Sequence, residues 1–239
     1  MATSDSPTPI VNSGLLVTVV EFDYQWTKLP DPNLEYTETR VSELLDYTGL
    51  KRKFFVGKSC LDVGCGTGRW SWAMLRMGAH VDGFDISHEA VNRCKSVNPA
   101  AYVFDLMELK PSHKYDFVLC WGVLHHLADP RRGFQRVATQ VKIGGTLHVM
   151  VYHLDTQKQY EEGRRLWPRL SHEQRIAYCT EMARKTGENV HGWWDALNPK
   201  FNFSFEPSEV EGWFKQEGFA HVTLTKRYNI NMRGVYSPH

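Results

Sequence analysis

Cys60-Leu61-Asp62-Val63-Gly64-Cys65-Gly66-Thr67-Gly68 is the stretch that decides the fold. Residues 59–63 are short and apolar, and read as a buried strand ending at a loop with glycine at every second position. Glycine there lets the backbone turn tightly and come close to a ligand. The helix expected over 68–77, with Trp70, Ala73, Met74 and Met77 on one face, turns its free N–H groups toward that loop. Dinucleotide loops follow G-x-G-x-x-G, with the third glycine needed for close packing. Arg69 occupies that position and the glycines run G-x-G-x-G, which argues against a nicotinamide oxidoreductase.

Outward from the loop, strands and helices alternate. Strands are expected over 80–85, 101–104, 116–121 and 146–152, the last introduced by Gly144-Gly145. Ser87 is a good N-cap for the helix after the second strand. Residues 131–141 are helical, with Phe134, Val137, Ala138 and Val141 at i, i+3, i+4 and i+7. After Tyr152 the pattern breaks: 154–205 holds two or three helices, one opened by a capping box of Ser171 and Gln174. Alternation resumes with a helix over 207–216 and strands over 221–225 and 231–235. A helix over 33–48 precedes the first strand, with Gly49 as its stop.

These elements predict an α/β fold: a seven-stranded, mostly parallel, doubly wound sheet with an N-terminal helical arm and a helical insertion after the fifth strand. Residues 1–50 form the arm that closes the ligand site. Residues 51–239 form the main domain, with 154–205 as a lid over the sheet's ligand edge.

Composition narrows the function. The 239 residues carry a formal charge of +1 and are 42% hydrophobic, so no basic stripe marks nucleic acid as a partner. The five cysteines show no C-x-x-C spacing and no Cys/His ligand pattern, which predicts reduced thiols, a cytoplasmic location and no metal. The apolar run 14–20 is too short to span a membrane and lacks the flanks of a signal peptide. Residues 1–13, rich in Ser, Thr and Pro, read as a flexible lead-in. Neither a monomer nor a homodimer is favoured.

The loop resembles motif I, L-D-x-G-x-G-x-G, of the class I S-adenosylmethionine-dependent methyltransferases, in their small-molecule branch. Four further stretches resemble that family in order. Val81-Asp82-Gly83-Phe84-Asp85-Ile86-Ser87 matches the strand whose final acid holds the ribose, and Asp85 follows Gly64 by 21 residues. Phe104-Asp105-Leu106 matches the adenine contact. Asp116 through Leu127 matches the fourth strand and its turn, and Gly144-Gly145-Thr146-Leu147 the entry to the fifth. The match covers 58–152 well, 207–236 loosely and 154–205 hardly at all. It implies S-adenosylmethionine as cofactor, with S-adenosylhomocysteine as product. The residues it implies around that cofactor are Asp62, Gly64, Cys65, Gly66, Asp85, Ile86, Asp105, Leu106, Trp121 and Gly122. An arm such as Phe22-Asp23-Tyr24-Gln25-Trp26 folds over the cofactor in similar enzymes, so Tyr24 or Trp26 is expected to close the pocket.

Methyl transfer needs a nucleophile aligned with the methyl group, and a hydroxyl nucleophile also needs a base. His125 and His126, after the fourth strand, are the candidates, with His125 favoured. Within the lid, Trp193, Trp194 and Asp195 are the candidate substrate contacts. Asn198-Pro199-Lys200-Phe201 faintly resembles a DNA methyltransferase signature but lies far from the fourth strand and is discounted. The expected activity is methyl transfer to oxygen, or second to nitrogen, of a small molecule such as a glycan, metabolite or natural product. The alternatives are a modified tRNA nucleoside as acceptor and a non-catalytic subunit that keeps the fold.

Overall fold

A computed structural model describes residues 22–29 and 36–238. The expected lead-in 1–13 and the apolar run 14–20 lie outside these residues. Among the described residues, one seven-stranded sheet runs in the order β3-β2-β1-β4-β5-β7-β6. Its strands are β1 (Ser59–Val63), β2 (His80–Asp85), β3 (Ala101–Val103), β4 (Tyr115–Trp121), β5 (Val141–Val151), β6 (Phe219–Lys226) and β7 (Ile230–Tyr236). β1 to β5 pair in parallel, and β7 inserts antiparallel between β5 and β6.

Strand alternation decides what each face buries. Leu61, Val63, Val118 and Cys120 point to one side, under α6 (Pro130–Ala138) and α11 (Pro207–Gln216). Cys60, Phe117 and Leu119 point to the other, under α2 (Glu38–Thr48), α3 (Arg52–Phe55) and α4 (Arg69–Arg76). Residues 22–28 form α1, and His88–Cys94 form α5, capped by the Ser87 hydroxyl as expected.

Several boundaries differ from expectation; the helix expected over 131–141 ends at Ala138, so that Val141 is strand and not helix. α2 begins at Glu38, because Tyr36 and Thr37 are not helical. β5 begins at Val141 and passes through Gly144-Gly145 where it was expected to start after them. A bulge does this: Tyr115 pairs with Val141 but Phe117 pairs with Thr146, so the glycines sit in the extra length.

The lid holds α7 (Leu154–Gln157), α8 (Glu161–Leu166), α9 (His172–Thr186) and α10 (Val190–Leu197). It has its own apolar cluster of Trp167, Cys179, Trp193, Trp194 and Leu197, with Leu29 of the arm. α9 opens with the expected capping box: Gln174 N–H donates to Ser171 Oγ (3.3 Å), and Ser171 N–H to Gln174 Oε1 (2.8 Å). Ser171→Ala is expected to cost about 1 kcal/mol, read from the urea midpoint. An unchanged midpoint would show that the box adds nothing to the lid.

Candidate functional site

Register brings the site together. Val63 lies beside Phe84 of β2 and Cys120 of β4, so the three strands end side by side where β1 and β4 adjoin and the strand order reverses. Such a switch point is where open parallel sheets bind ligands. A cavity of about 340 Å³ lies there, floored by the glycine loop, Asp85, Ile86, Asp105, Leu106, Trp121 and Gly122.

The floor is built for close approach. Gly64 has φ +68°, and a Cβ on it would stand 2.2 Å from Val123 Cγ2. Gly66 has φ +53°, and its Cβ would press on the Trp26 ring at 3.1 Å. Asp85 Oδ2 accepts the Gly66 N–H and Oδ1 the Ser87 N–H, both at 2.9 Å. Burial pushes this carboxyl up, although the N–H groups of Ser87, Gly66 and Ile86 oppose it. Each oxygen keeps a lone pair for a further donor. Asp105 Oδ1 accepts the Met107 N–H at 2.8 Å and caps the short turn Leu106–Glu108.

The far wall comes from four distant segments. Asp195 of α10 is its hub. Asp195 Oδ2 accepts the Tyr152 hydroxyl at 2.7 Å and faces His126 Nε2 at 3.4 Å, while Oδ1 accepts Gln25 Nε2–H at 3.2 Å. Gln25 Nε2 also meets His191 Nε2 at 2.7 Å, which ties the arm to the lid. Burial works against ionising Asp195, but His126 and Tyr152 outweigh it and hold the carboxyl well below its usual range. His126 Nδ1 lies 3.1 Å from the Phe201 carbonyl, so both its ring nitrogens face acceptors.

Several expected residues stand elsewhere. His125, the favoured base, is fully buried and lies outside the cavity lining; its ring stacks on Tyr152 at 3.7 Å between centroids. Burial, and then His126, push it well below the usual histidine range, so it is neutral. His126 is the one of the pair that lines the cavity. Trp193 and Trp194 do not: they are 0% and 2% exposed, inside the lid's apolar cluster. Helical geometry separates Trp193 from Asp195, which shares its face with His191 at i, i+4, while Trp193 pairs with Leu197 on the other side; Trp194, at i+3 from His191, is instead covered by Tyr24, Trp167 and His172. Tyr24 also turns away, packing on His172 and Trp194 at 4.4 and 5.2 Å, and leaves Trp26 and Phe22 to line the cavity. Asp62 sits behind the loop, bonded by the Ser71 hydroxyl at 2.8 Å, and does not reach the cavity.

Gln25 and Tyr152 were missed in the sequence. Tyr152 directly follows β5, beside the end of β4, and that position was the signal for it. Gln25 lies 170 residues from Asp195 and carried no signal.

Comparison with known proteins follows the geometry. A family model described as a methyltransferase domain matches residues 34–224. A ubiquinone biosynthesis O-methyltransferase from Proteus mirabilis is 35% identical over 123 residues, 48% of this chain and 49% of the relative. One from Cronobacter sakazakii is 31% identical over 147 residues, 57% of this chain and 60% of the relative. The match thus spans about half the length of these curated relatives. Among solved structures, the magnesium protoporphyrin IX methyltransferase of Synechocystis with bound S-adenosylmethionine has a TM-score of 0.60 at 17% identity, covering 96% of this chain and all of that one. A Burkholderia thailandensis 1,6-didemethyltoxoflavin-N1-methyltransferase with bound S-adenosylhomocysteine has 0.58 at 14%, covering 99% and 94%. Sheet order, glycine loop and family match agree, and the chain belongs to the class I S-adenosylmethionine-dependent methyltransferases.

Proposed function

We propose that the chain transfers a methyl group from S-adenosylmethionine to a hydroxyl oxygen of a small-molecule acceptor. One observation carries this reading: a single cavity has the glycine loop and Asp85 on its floor and His126 with Asp195 on its wall. When bound, the cofactor supplies a methyl group on a sulfonium centre that is already electrophilic. The chain's part is to bind, align and exclude water.

Asp85 is placed to accept hydrogen bonds from the two ribose hydroxyls, and Asp105 with Leu106 to meet the adenine. Gly64 and Gly66 admit the ligand close to the backbone, with Cys65, Trp121 and Gly122 beside them. Trp26 and Phe22 roof the cavity from the arm. Opposite the floor, Asp195 and His126 offer a carboxylate and an imidazole to an acceptor hydroxyl. An oxygen acceptor is favoured over nitrogen because these groups can hold a hydroxyl proton, and because the two curated relatives above are named O-methyltransferases. Among the described residues no helix is long and apolar enough to cross a membrane.

Calorimetric titration with S-adenosylhomocysteine tests the cofactor half. Tight binding by the wild type and about tenfold weaker binding by Asp85→Ala are expected, since a hydrogen bond to a charged acceptor contributes about 1.5–3 kcal/mol. Failure of the wild type to bind would sink the reading. Transfer of labelled methyl from S-adenosylmethionine into a fraction of small hydroxylated metabolites tests the other half; label appearing only in RNA would reject it.

A further inference from the structure

We infer that His125, His126 and Asp195 form a binding site for one divalent cation of the zinc class, at the wall of the cavity. One ligand atom from each lies within 4.8 Å of the others. Three features mark this as more than a cluster of polar side chains.

The first is His125. It is completely buried, and neither ring nitrogen has a hydrogen-bond partner. A buried polar group without a partner costs about 1–3 kcal/mol, so such a group calls for an explanation. Stacking on Tyr152 satisfies the ring's faces but neither nitrogen. A cation between His125 and His126 satisfies one.

The second is the spacing of His126 and Asp195. Their closest atoms stand 3.4 Å apart. Charge-assisted hydrogen bonds contract to about 2.7–2.9 Å. Two ligands at about 2.0–2.1 Å from a tetrahedral cation instead stand about 3.3–3.4 Å apart. The observed gap fits two ligands of a common ion better than it fits a hydrogen bond.

The third is the support behind the ligands. Histidines that bind a metal usually give their other ring N–H to a carbonyl or carboxylate, which fixes tautomer and tilt. His126 Nδ1 meets the Phe201 carbonyl at 3.1 Å and leaves Nε2 toward Asp195. Asp195 is itself held by Tyr152 at 2.7 Å and Gln25 at 3.2 Å. Two imidazoles and one carboxylate suit zinc and its first-row neighbours, and three protein ligands leave a position open, as in catalytic sites. His126 and Asp195 turn that position to the cavity.

The consequence for chemistry rests on the methyl-transfer reading; the cation site does not. An acceptor hydroxyl at the open position is acidified by the cation, as water bound to zinc falls from a pKa of about 15.7 to about 7. Its O–H bond then breaks with the proton passing to water, and the oxygen keeps the electron pair that forms the O–CH3 bond as the S–CH3 bond breaks, its electron pair staying on sulfur to leave neutral S-adenosylhomocysteine. On this reading His126 binds the cation and is not a free base.

Chelator-treated full-length protein, titrated with Zn(II) by calorimetry and with Co(II) by absorption, tests the site. One equivalent is expected with micromolar or tighter affinity, together with cobalt bands of four- or five-coordination. His125→Gln is expected to weaken Zn(II) at least tenfold. If that variant fails to fold, Asp195→Asn on the partly exposed lid takes its place with the same expectation. No binding by the wild type, a thiolate-to-cobalt band, or unchanged affinity in the folded variants overturns the site. Loss of the cation site with S-adenosylhomocysteine binding intact would leave the methyltransferase reading standing, so the two failures are distinguishable.

Discussion

Asp195→Asn and His126→Ala are each expected to lower kcat by about 10²- to 10³-fold, the range for losing assistance to deprotonation of the acceptor, which on the inference above these two residues give through the cation they hold. Affinity for S-adenosylhomocysteine is expected to change less than about threefold, because a loss confined to kcat marks an interaction made only during reaction. The split follows from where the residues stand. The floor groups proposed to meet the cofactor belong to β1, β2, β3 and β4 and the turns after them. Asp195 belongs to the lid and touches Tyr152, His126 and Gln25. Asparagine keeps the shape of Asp195 but turns an amide N–H toward a donor that now meets an oxygen. The Tyr152 hydroxyl or the Gln25 amide then loses its acceptor, and a modest fall in thermal midpoint should accompany the loss of rate. Single-turnover rates with labelled cofactor, beside calorimetry for S-adenosylhomocysteine, check both halves. A variant that lost cofactor affinity as strongly as rate would move Asp195 into the cofactor site.

The part of this site that was legible in the sequence is the part made from neighbours in the chain. The glycine loop directly follows β1, Asp85 ends β2 and Asp105 lies two residues past β3, and the parallel register that lines up Val63 with Phe84 and Cys120, and Asp85 with Val103, places them side by side. The wall is different. Tyr152 and Asp195 are 43 residues apart, and His126 and Asp195 are 69 apart, so no spacing rule joins them. The cation site inferred above has the same character: a ligand set drawn from β4's turn and residues 154–205 leaves no short motif, so the sequence carried an expectation of no metal. Trp193 and Trp194 were misplaced for a more avoidable reason. On a helix, His191 and Asp195 form one face and Trp193 with Leu197 another. The i, i+4 spacing therefore sets Trp193 apart from Asp195 in the sequence itself, whereas Trp194, three residues after His191, is withdrawn by its ring contacts with Tyr24, Trp167 and His172. The choice between His125 and His126 was not legible, since adjacent residues on a tight turn point apart: both are buried, but His125 stacks on Tyr152 and only His126 lines the cavity.

Asp62→Asn is expected to stabilise the protein at neutral pH by up to about 3 kcal/mol, and to weaken the cationic cofactor more than its neutral-sulfur product. Asp62 is 1% exposed beneath the glycine loop, and its Oδ2 accepts the Ser71 hydroxyl at 2.8 Å. Burial pushes its carboxyl up to about 6, opposed by hydrogen bonds from Ser71 and aided by the nearby charge of Asp85. In the unfolded chain the same group titrates near about 4. Between these values the folded state holds the extra proton, so stability falls as pH rises through that window and stays lower above it. About two pH units at about 1.4 kcal/mol each give the size of the effect. The asparagine variant has no proton to lose. Its stability should match the wild type near pH 4, exceed it progressively to pH 6, and stay above it at pH 7.5. Urea midpoints at those pH values check this; parallel curves would show that Asp62 titrates like an exposed acid. On the proposed function, an ionised carboxylate beneath the loop would attract a sulfonium cation bound on the other side of it. Removing that charge should leave S-adenosylhomocysteine affinity nearly unchanged and weaken S-adenosylmethionine several-fold, a trade of function for stability of the kind active sites commonly hold. Equal weakening of both ligands would instead assign Asp62 a purely structural part in holding the loop through Ser71.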